Sequence, residues 1–138
     1  MSTEENKALI RRYWQACNEH NFDVLDELTT TDYIQHGTTD DRNLQDVKAF
    51  YTILIAGFPD INAAIDDVIA EGDRVAVKMT TRATHKGEFR GIPPTGKTAT
   101  VTEMAVYRIS EGKIAEGWLL SDMLGLMQQL GVIPTPGQ

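Results

Sequence analysis

Cysteine is almost missing from this chain of 138 residues: Cys17 stands alone, which excludes an intrachain disulfide and any paired-cysteine metal or redox motif. It falls at an apolar position of a helical pattern and reads as a buried, inert thiol rather than a nucleophile. Positive charge is short as well. Against 20 Asp and Glu stand 13 scattered Lys and Arg, a net charge of −7, which argues against nucleic acid and anionic membranes as partners. No apolar run approaches a membrane span, and residues 1–7 are polar and acidic, unlike a signal peptide, so a cytoplasmic location is expected. There is no Gly-rich phosphate loop after a strand, no HxH or HExxH spacing, no internal repeat and no linker; neither cofactor nor metal is expected. What is present, 41% hydrophobic and 24% charged residues, is the composition of an ordinary globular domain, here taken to span 1–138.

Helical patterns fill the first half. Ser2 with Glu5 is a capping box, followed by Leu9, Ile10, Tyr13, Trp14, Ala16 and Cys17 at helical spacing, which predicts a helix over about 3–19. His20 closes it, and Asn21 can cap a short second helix with Phe22, Leu25 and Leu28 on one stripe. Asp32 to Gly37 reads as a short strand with Ile34 and His36 on one face. After a polar loop, Leu44, Val47, Phe50, Tyr51, Leu54 and Ile55 give a third helix ending at Gly57 and Pro59.

From Ile61 the period becomes two. A strand leads to the turn Glu71-Gly72-Asp73, and Val75, Val77, Met79, Thr81, Ala83 and His85 then alternate with Arg74, Lys78, Arg82 and Lys86. The Gly/Pro-rich stretch 87–96 forms a structural or subunit-contacting loop before a strand over 97–109. A turn through Gly112 opens the last strand. Straight alternation puts Ile114, Glu116, Trp118, Leu120 and Asp122 on one face, Trp118 on the same side as Val77, and Asp122 where that strand meets a helix over 123–130 stopped by Gly131. Pairing Ile109 with Lys113 sets Met104 opposite Trp118 and Thr100 opposite Asp122. The tail Pro134-Thr135-Pro136 is expected to be extended. Helices followed by a meander of long antiparallel strands define an α+β fold, a curved sheet covered on its apolar face by the N-terminal helices.

His36, the segments 71–75 (EGDRV), 84–89 (THKGEF), 91–97 (GIPPTGK) and 112–118 (GKIAEGW), Asp122 and 129–131 (QLG), in this order over nearly the whole chain, resemble the SnoaL-like polyketide and ester cyclases. The resemblance implies the cone-shaped nuclear-transport-factor-two-like (cystatin-like) fold with a deep apolar pocket. It also implies ring closure by intramolecular aldol condensation of a polyketide ester without metal or cofactor, through an acid that corresponds to Asp122.

Such a closure needs a proton removed beside a carbonyl and one supplied to the forming alkoxide, and a single carboxyl group can do both. Trp118 on the same face is expected to desolvate Asp122 and raise its pKa. The plainer reading of Asp122, directly before a helix, is an N-cap. His36 and His85 are candidate pocket residues that would polarise a carbonyl or hold Asp122; the plainer reading is a satisfied histidine, and a His36/His85/Asp122 metal site lacks ligand spacing. Trp14, Tyr51, Phe58, Trp118 and Met104 are expected to line the pocket while serving the core, and Glu116 to end in a surface ion pair. The predicted protein is a homodimer, or dimer of dimers, joined through the open sheet face, with a small apolar carbonyl-containing ligand in its cavity. A non-catalytic binding module, or an epoxide hydrolase on the same cone, is the alternative.

Overall fold

The structure, a computed structural model, describes residues 2–37 and 39–134; the tail past Pro134 lies outside the described residues. Helix α1 (Thr3–Asn18) starts on the expected capping box, with Glu5 N–H donating to Ser2 Oγ at 3.1 Å and Ser2 N–H to Glu5 Oε1 at 3.2 Å. It stops where His20 takes φ 58°, which lets Asn21 N–H reach the Ala16 carbonyl at 2.9 Å. A 3-10 turn, Phe22–Val24, leads into α2 (Leu25–Leu28). The β-branched Thr29 ends that helix and opens β1 (Thr29–His36), three residues earlier than expected. A short β2 (Asp41–Asn43) pairs with the end of β1 where a loop was expected. Asn43 and Asp46 then form a second capping box, at 2.9 and 3.1 Å, that launches α3 (Leu44–Gly57).

The remaining elements are β3 (Asn62–Glu71), β4 (Arg74–Thr84), β5 (Thr98–Ser110), β6 (Lys113–Ser121) and α4 (Met123–Gln129). They complete a six-stranded sheet ordered β2-β1-β6-β5-β4-β3. The meander β3 to β6 leaves one edge of β6 open, and β1 covers it in the parallel sense, so the sheet is mixed rather than wholly antiparallel. The helices lie over one face. Ile10, Tyr13, Trp14 and Cys17 of α1 pack there with Val75, Val77 and Met79 of β4 and Ala105, Tyr107 and Ile109 of β5. A second cluster, Phe58, Ala83, Phe89, Ala99, Leu126 and Leu130, closes the other end under α4. No helix among the described residues is long and apolar enough to cross a membrane.

The register of β6 departs from simple alternation. Ser110 pairs with Lys113 across a two-residue turn whose Glu111 and Gly112 have φ 52° and 78°. Ile109 still faces Ile114, but Arg108 faces Glu116, so Ala115 is an extra, bulged residue. Each side chain beyond it changes sides. Leu119 and Ser121 therefore face the helices, while Trp118 and Leu120 face away. Trp118 is thus opposite Val77 in the sheet's two-sided sense, against expectation, and the Arg74 guanidinium lies over its ring at 5.1 Å. The pairs are Val106 with Trp118 and Met104 with Leu120, which places Met104 on the outer face too.

That outer face is apolar and open: Ile69, Met104 and Leu120 are 62%, 53% and 62% exposed. On the inner face the bulge brings Gly117 against aromatic rings. A Cβ there would stand 2.9 Å from two Tyr107 ring carbons and 3.1 Å from the Tyr33 hydroxyl, both tyrosines being buried. Gly117→Ala is accordingly expected to lower stability by about 1–3 kcal/mol, since neither ring has room to retreat. Urea midpoints of the two proteins measure it, and an unchanged midpoint would show that the rings can give way.

Candidate active site

Between the inner sheet face and helices α1, α3 and α4 lies a cavity of about 100 Å³. Its apolar walls follow from the helical stripe of α3 and the alternation of the strands: Val47, Phe50, Leu54, Phe58 and Ile61 on one side, Ala83, Ala99 and Val101 on the other, Met123 and Leu126 above. Trp14, Tyr51 and Phe58 of the expected lining residues stand in this wall. Cys17 stands there as well, 3% exposed, with burial pushing its thiol up to about 12, which leaves it protonated and inert. Burial likewise raises the Tyr13 and Tyr107 hydroxyls well above the usual phenol range.

Asp122 lines the cavity from the junction of β6 and α4. Its backbone N–H donates to the Thr102 carbonyl at 3.2 Å, so Thr102 rather than Thr100 is its neighbour across the sheet. The carboxyl is solvent-exposed, not desolvated by Trp118, because the bulge has sent Trp118 to the other face. Its Oδ1 accepts the Gly125 N–H at 2.9 Å, capping α4. Gly125 is required: a Cβ there would come within 2.2 Å of Asp122 Oδ2. The helix is fixed a second time by the Gln129 amide, which accepts from Thr100 N–H and donates to the Thr100 carbonyl, both at 2.8 Å. Gln129 thereby replaces the strand neighbour that β6 no longer supplies, since β6 ends at Ser121 opposite Glu103.

Polar groups that the sequence reading passed over complete the wall. Gln35, Arg42, Thr81, Glu103 and Ser121 all reach the cavity. Glu103 occupies an inward position of β5 between Val101 and Ala105; its Oε1 accepts from Thr81 Oγ1 and its Oε2 from Ser121 Oγ, both at 2.5 Å. A charge at a core-facing position in an otherwise apolar alternation (Ala99, Val101, Ala105, Tyr107, Ile109) was the available signal. Asn18 is structural, since its amide exchanges two 2.8 Å bonds with the backbone of Ala63.

Neither histidine joins Asp122. His85 is fully buried and stacks on Phe58 at 5.1 Å, behind the cavity wall rather than in it. Its Nδ1 accepts the Thr95 N–H at 3.2 Å, which leaves the proton of the neutral ring on Nε2, a buried atom without a partner. The 87–96 loop is pinned by Gly87 N–H on the Gly57 carbonyl at 3.1 Å and by Phe89, wholly buried against Phe58. His36 lies on the outer face, stacked on Trp118 at 5.3 Å, because it pairs with Trp118 on the neighbouring strand. The sheet thus separates His36 from His85, and the pair cannot share a metal ion.

A family model described as SnoaL-like polyketide cyclase matches residues 7–130. The chain is 30% identical to the aklanonic acid methyl ester cyclase DnrD of Streptomyces peucetius over 99% of its own length and 97% of the relative's. Against the aklanonic acid methyl ester cyclase DauD of Streptomyces sp. (strain C5) it is also 30% identical, covering 93% and 83%. Among solved structures, AclR of Streptomyces galilaeus, named as a candidate hydroxylase, superposes with TM-score 0.90 at 28% identity, covering 99% of this chain and 87% of that one. IdmH of Streptomyces antibioticus, named as a candidate polyketide cyclase, gives 0.84 at 31% identity, covering 92% and 99%.

His36 forms a charged cluster of its own. Nε2 meets Glu116 Oε2 at 2.6 Å, Nδ1 meets Asp41 Oδ1 at 2.9 Å, and Arg108 Nε donates to Glu116 Oε1 at 3.1 Å. The Glu116 bond, then Asp41, raises the His36 pKa above 6.5, and His36, then Arg108, lowers Glu116 below 4.5. A raised histidine contributes stability that is complete below 6.5 and fades as pH rises through its folded pKa; a lowered carboxyl contributes above 4.5 and fades as pH falls through its folded pKa. The cluster therefore stabilises most between those two values. His36→Gln should cost most near about pH 5.5 and progressively less towards about pH 9. Urea midpoints across that range report it, and a cost that grows with pH would contradict the assignment.

Proposed function

Because the chain belongs to the SnoaL-like polyketide cyclase family, we propose that it is a cofactor-independent cyclase of a small, largely apolar carbonyl compound, with Asp122 as general acid and base. The observation that carries this reading is the state of the Asp122 carboxyl at the cavity wall. One oxygen is fixed by the Gly125 N–H, and the other takes no hydrogen bond from the described residues. A carboxyl fixed against Gly125 at the wall of an apolar chamber, with one oxygen free of hydrogen bonds, is suited to proton transfer.

The reaction is a proton shuttle around one new bond. The carboxylate of Asp122 takes a proton from carbon next to one carbonyl. The resulting enolate carbon attacks a second carbonyl carbon of the same molecule, closing the ring, and the alkoxide so formed recovers the proton from the carboxyl. No electron is gained or lost and no water is consumed. The apolar walls of α3, β4 and β5 contribute by holding a flexible chain with its two ends together, an effect worth several kcal/mol.

Aklanonic acid methyl ester, the compound in the names of the curated relatives, is the substrate to offer. Asn caps helices as well as Asp, so Asp122→Asn should fold and melt as the wild type does while losing roughly two to four orders of magnitude in rate. The capping bond also favours a second reading, in which Asp122 is only a cap and the chain a binding module. Normal turnover by the Asn variant would make Asp122 a cap only and the cyclase one without it, whereas ester binding without turnover by the wild type would establish the binding module.

The outer sheet face supports a further proposal, a homodimer. Its apolar strip of Ile69, Met104, Val106, Trp118 and Leu120 is bordered by both signs of charge, Arg74, Lys78 and Arg108 with Asp66, Asp67 and Glu116. A strip bordered in this way complements itself when turned about a twofold axis. Sedimentation equilibrium should give a dimer that Leu120→Lys converts to monomer; a wild type monomeric at every concentration would refute it.

A further inference from the structure

We infer that Glu103 is the specificity residue of the cavity, and that it selects ligands bearing a hydroxyl, phenolic or enolic O–H on an otherwise apolar frame. This rests on the reading of the cavity as the ligand site and deepens it.

The argument starts from where each proton is. Thr81 and Ser121 have one hydroxyl proton apiece, and both protons are directed to Glu103, on Oε1 and Oε2 at 2.5 Å. Those hydroxyls come from β4 and β6, the strands on either side of β5, so the carboxylate is held from both flanks in the plane of the wall. What the trio turns towards the cavity is then lone pairs only: the free ones of two hydroxyl oxygens and those left on a carboxylate, which has about four acceptor sites and has used two. An all-acceptor surface binds a donor. A carbonyl, an ether or a carboxylate placed against it would be repelled.

The charge of Glu103 is otherwise uncompensated. Among the described residues no cation lies within ion-pair distance of it. Arg42, the cation that lines the cavity, is turned to Asp40 at 3.5 Å and laid over the Phe50 ring at 4.0 Å. Burial first, and the Glu103 charge in addition, keeps the protons on Cys17, Tyr51 and Tyr107. A half-buried carboxylate in a largely apolar wall without a counter-ion is costly to keep, which marks it as a group that meets a ligand. Carbonyl compounds of the kind proposed as substrates supply the missing donor, because the enol form of one carbonyl is an O–H beside the other.

The probes are 2-naphthol and 2-methoxynaphthalene, which share a flat apolar frame and differ in that only the first can donate. Calorimetric titration of the wild-type protein should show 2-naphthol binding about tenfold or more tightly than the ether, the scale of one hydrogen bond to a charged acceptor. Glu103→Gln, whose amide can still satisfy Thr81 and Ser121, should bring the ratio down to about twofold or less. On the proposed ester the same variant should raise KM more than it lowers kcat, whereas Asp122→Asn acts on kcat. Equal binding of the two probes by the wild type, a comparison that needs no variant, would overturn the role of Glu103 and leave the cyclase reading standing. A ratio unchanged in Glu103→Gln would do the same. Failure of both probes to bind would overturn the cavity as a ligand site, and this inference with it.

Discussion

The bulge at Ala115 is the constraint on which the rest of the site depends, because a strand has only two faces and one inserted residue exchanges them for everything that follows. Ile109 and Ile114 pair before it and Arg108 and Glu116 after it. Without the insertion Trp118 and Leu120 would fill the space beneath α1 and α3, and Ser121 would be outside. With it, the large side chains leave the inner face, Gly117 and Leu119 take their places, and the volume they vacate is available to a ligand. The same step supplies the outer strip, since Trp118 and Leu120 have to go somewhere. Cavity and outer apolar face are thus two results of one register change.

The cavity is also bounded by what β6 stops doing. β5 continues past its neighbour's end, and its free backbone at Thr100 is taken up by the Gln129 amide. Helix α4, only seven residues long, would not be stable by itself. It is held by Asp122 at its start, Gln129 at its end, and Leu126 and Leu130 in the cluster with Phe58. A roof fixed at both ends keeps its apolar side over the chamber, and it fixes the Asp122 carboxyl through Gly125, where any side chain would strike that carboxyl. Gly in a helix costs about 1 kcal/mol relative to Ala. Here the close approach of the carboxyl accounts for it.

Much of this was legible in the residues. Ser2 with Glu5 located the start of α1, the period of two from Ile61 located the meander, and Gly131, found at φ 81°, located the end of α4. The segments shared with cyclases indicated the fold. The parallel pairing of β1 with β6 was not legible, because it joins residues more than 80 apart in sequence with no turn to signal it. Nor was the bulge: Ala115 and Gly117 are small enough for either face, so alternation alone places Trp118 inside. From that slip came the misplacement of Trp118 and the expectation of a desolvated Asp122, while Met104 was misplaced because the turn closes Ser110, not Ile109, on Lys113. Trp14 and Tyr51 stand in the wall because helical spacing carries no such ambiguity, and Phe58 joins them from just past the end of α3. Glu103 was overlooked although its type was out of keeping with its neighbours, which is the one sign a sequence offers of a charge that faces inward.

The two acidic groups of the chamber differ in a way that follows from backbone position. Glu103 sits in mid-strand, where β4 and β6 on either side hold both its oxygens with hydroxyls, and its orientation is as rigid as the sheet. Asp122 sits where the sheet has ended, with one oxygen on a helix terminus and water within reach of the rest. A rigid, fully directed acceptor discriminates between ligands but has little freedom to follow a moving proton. A carboxyl anchored at one oxygen can take a proton at the other and give it up again without losing its place. The two proposed roles, recognition in mid-strand and proton transfer at the strand's end, thus match the backbone positions of the two acids, and Ser121, bonded to the first acid and preceding the second, ties the two positions together.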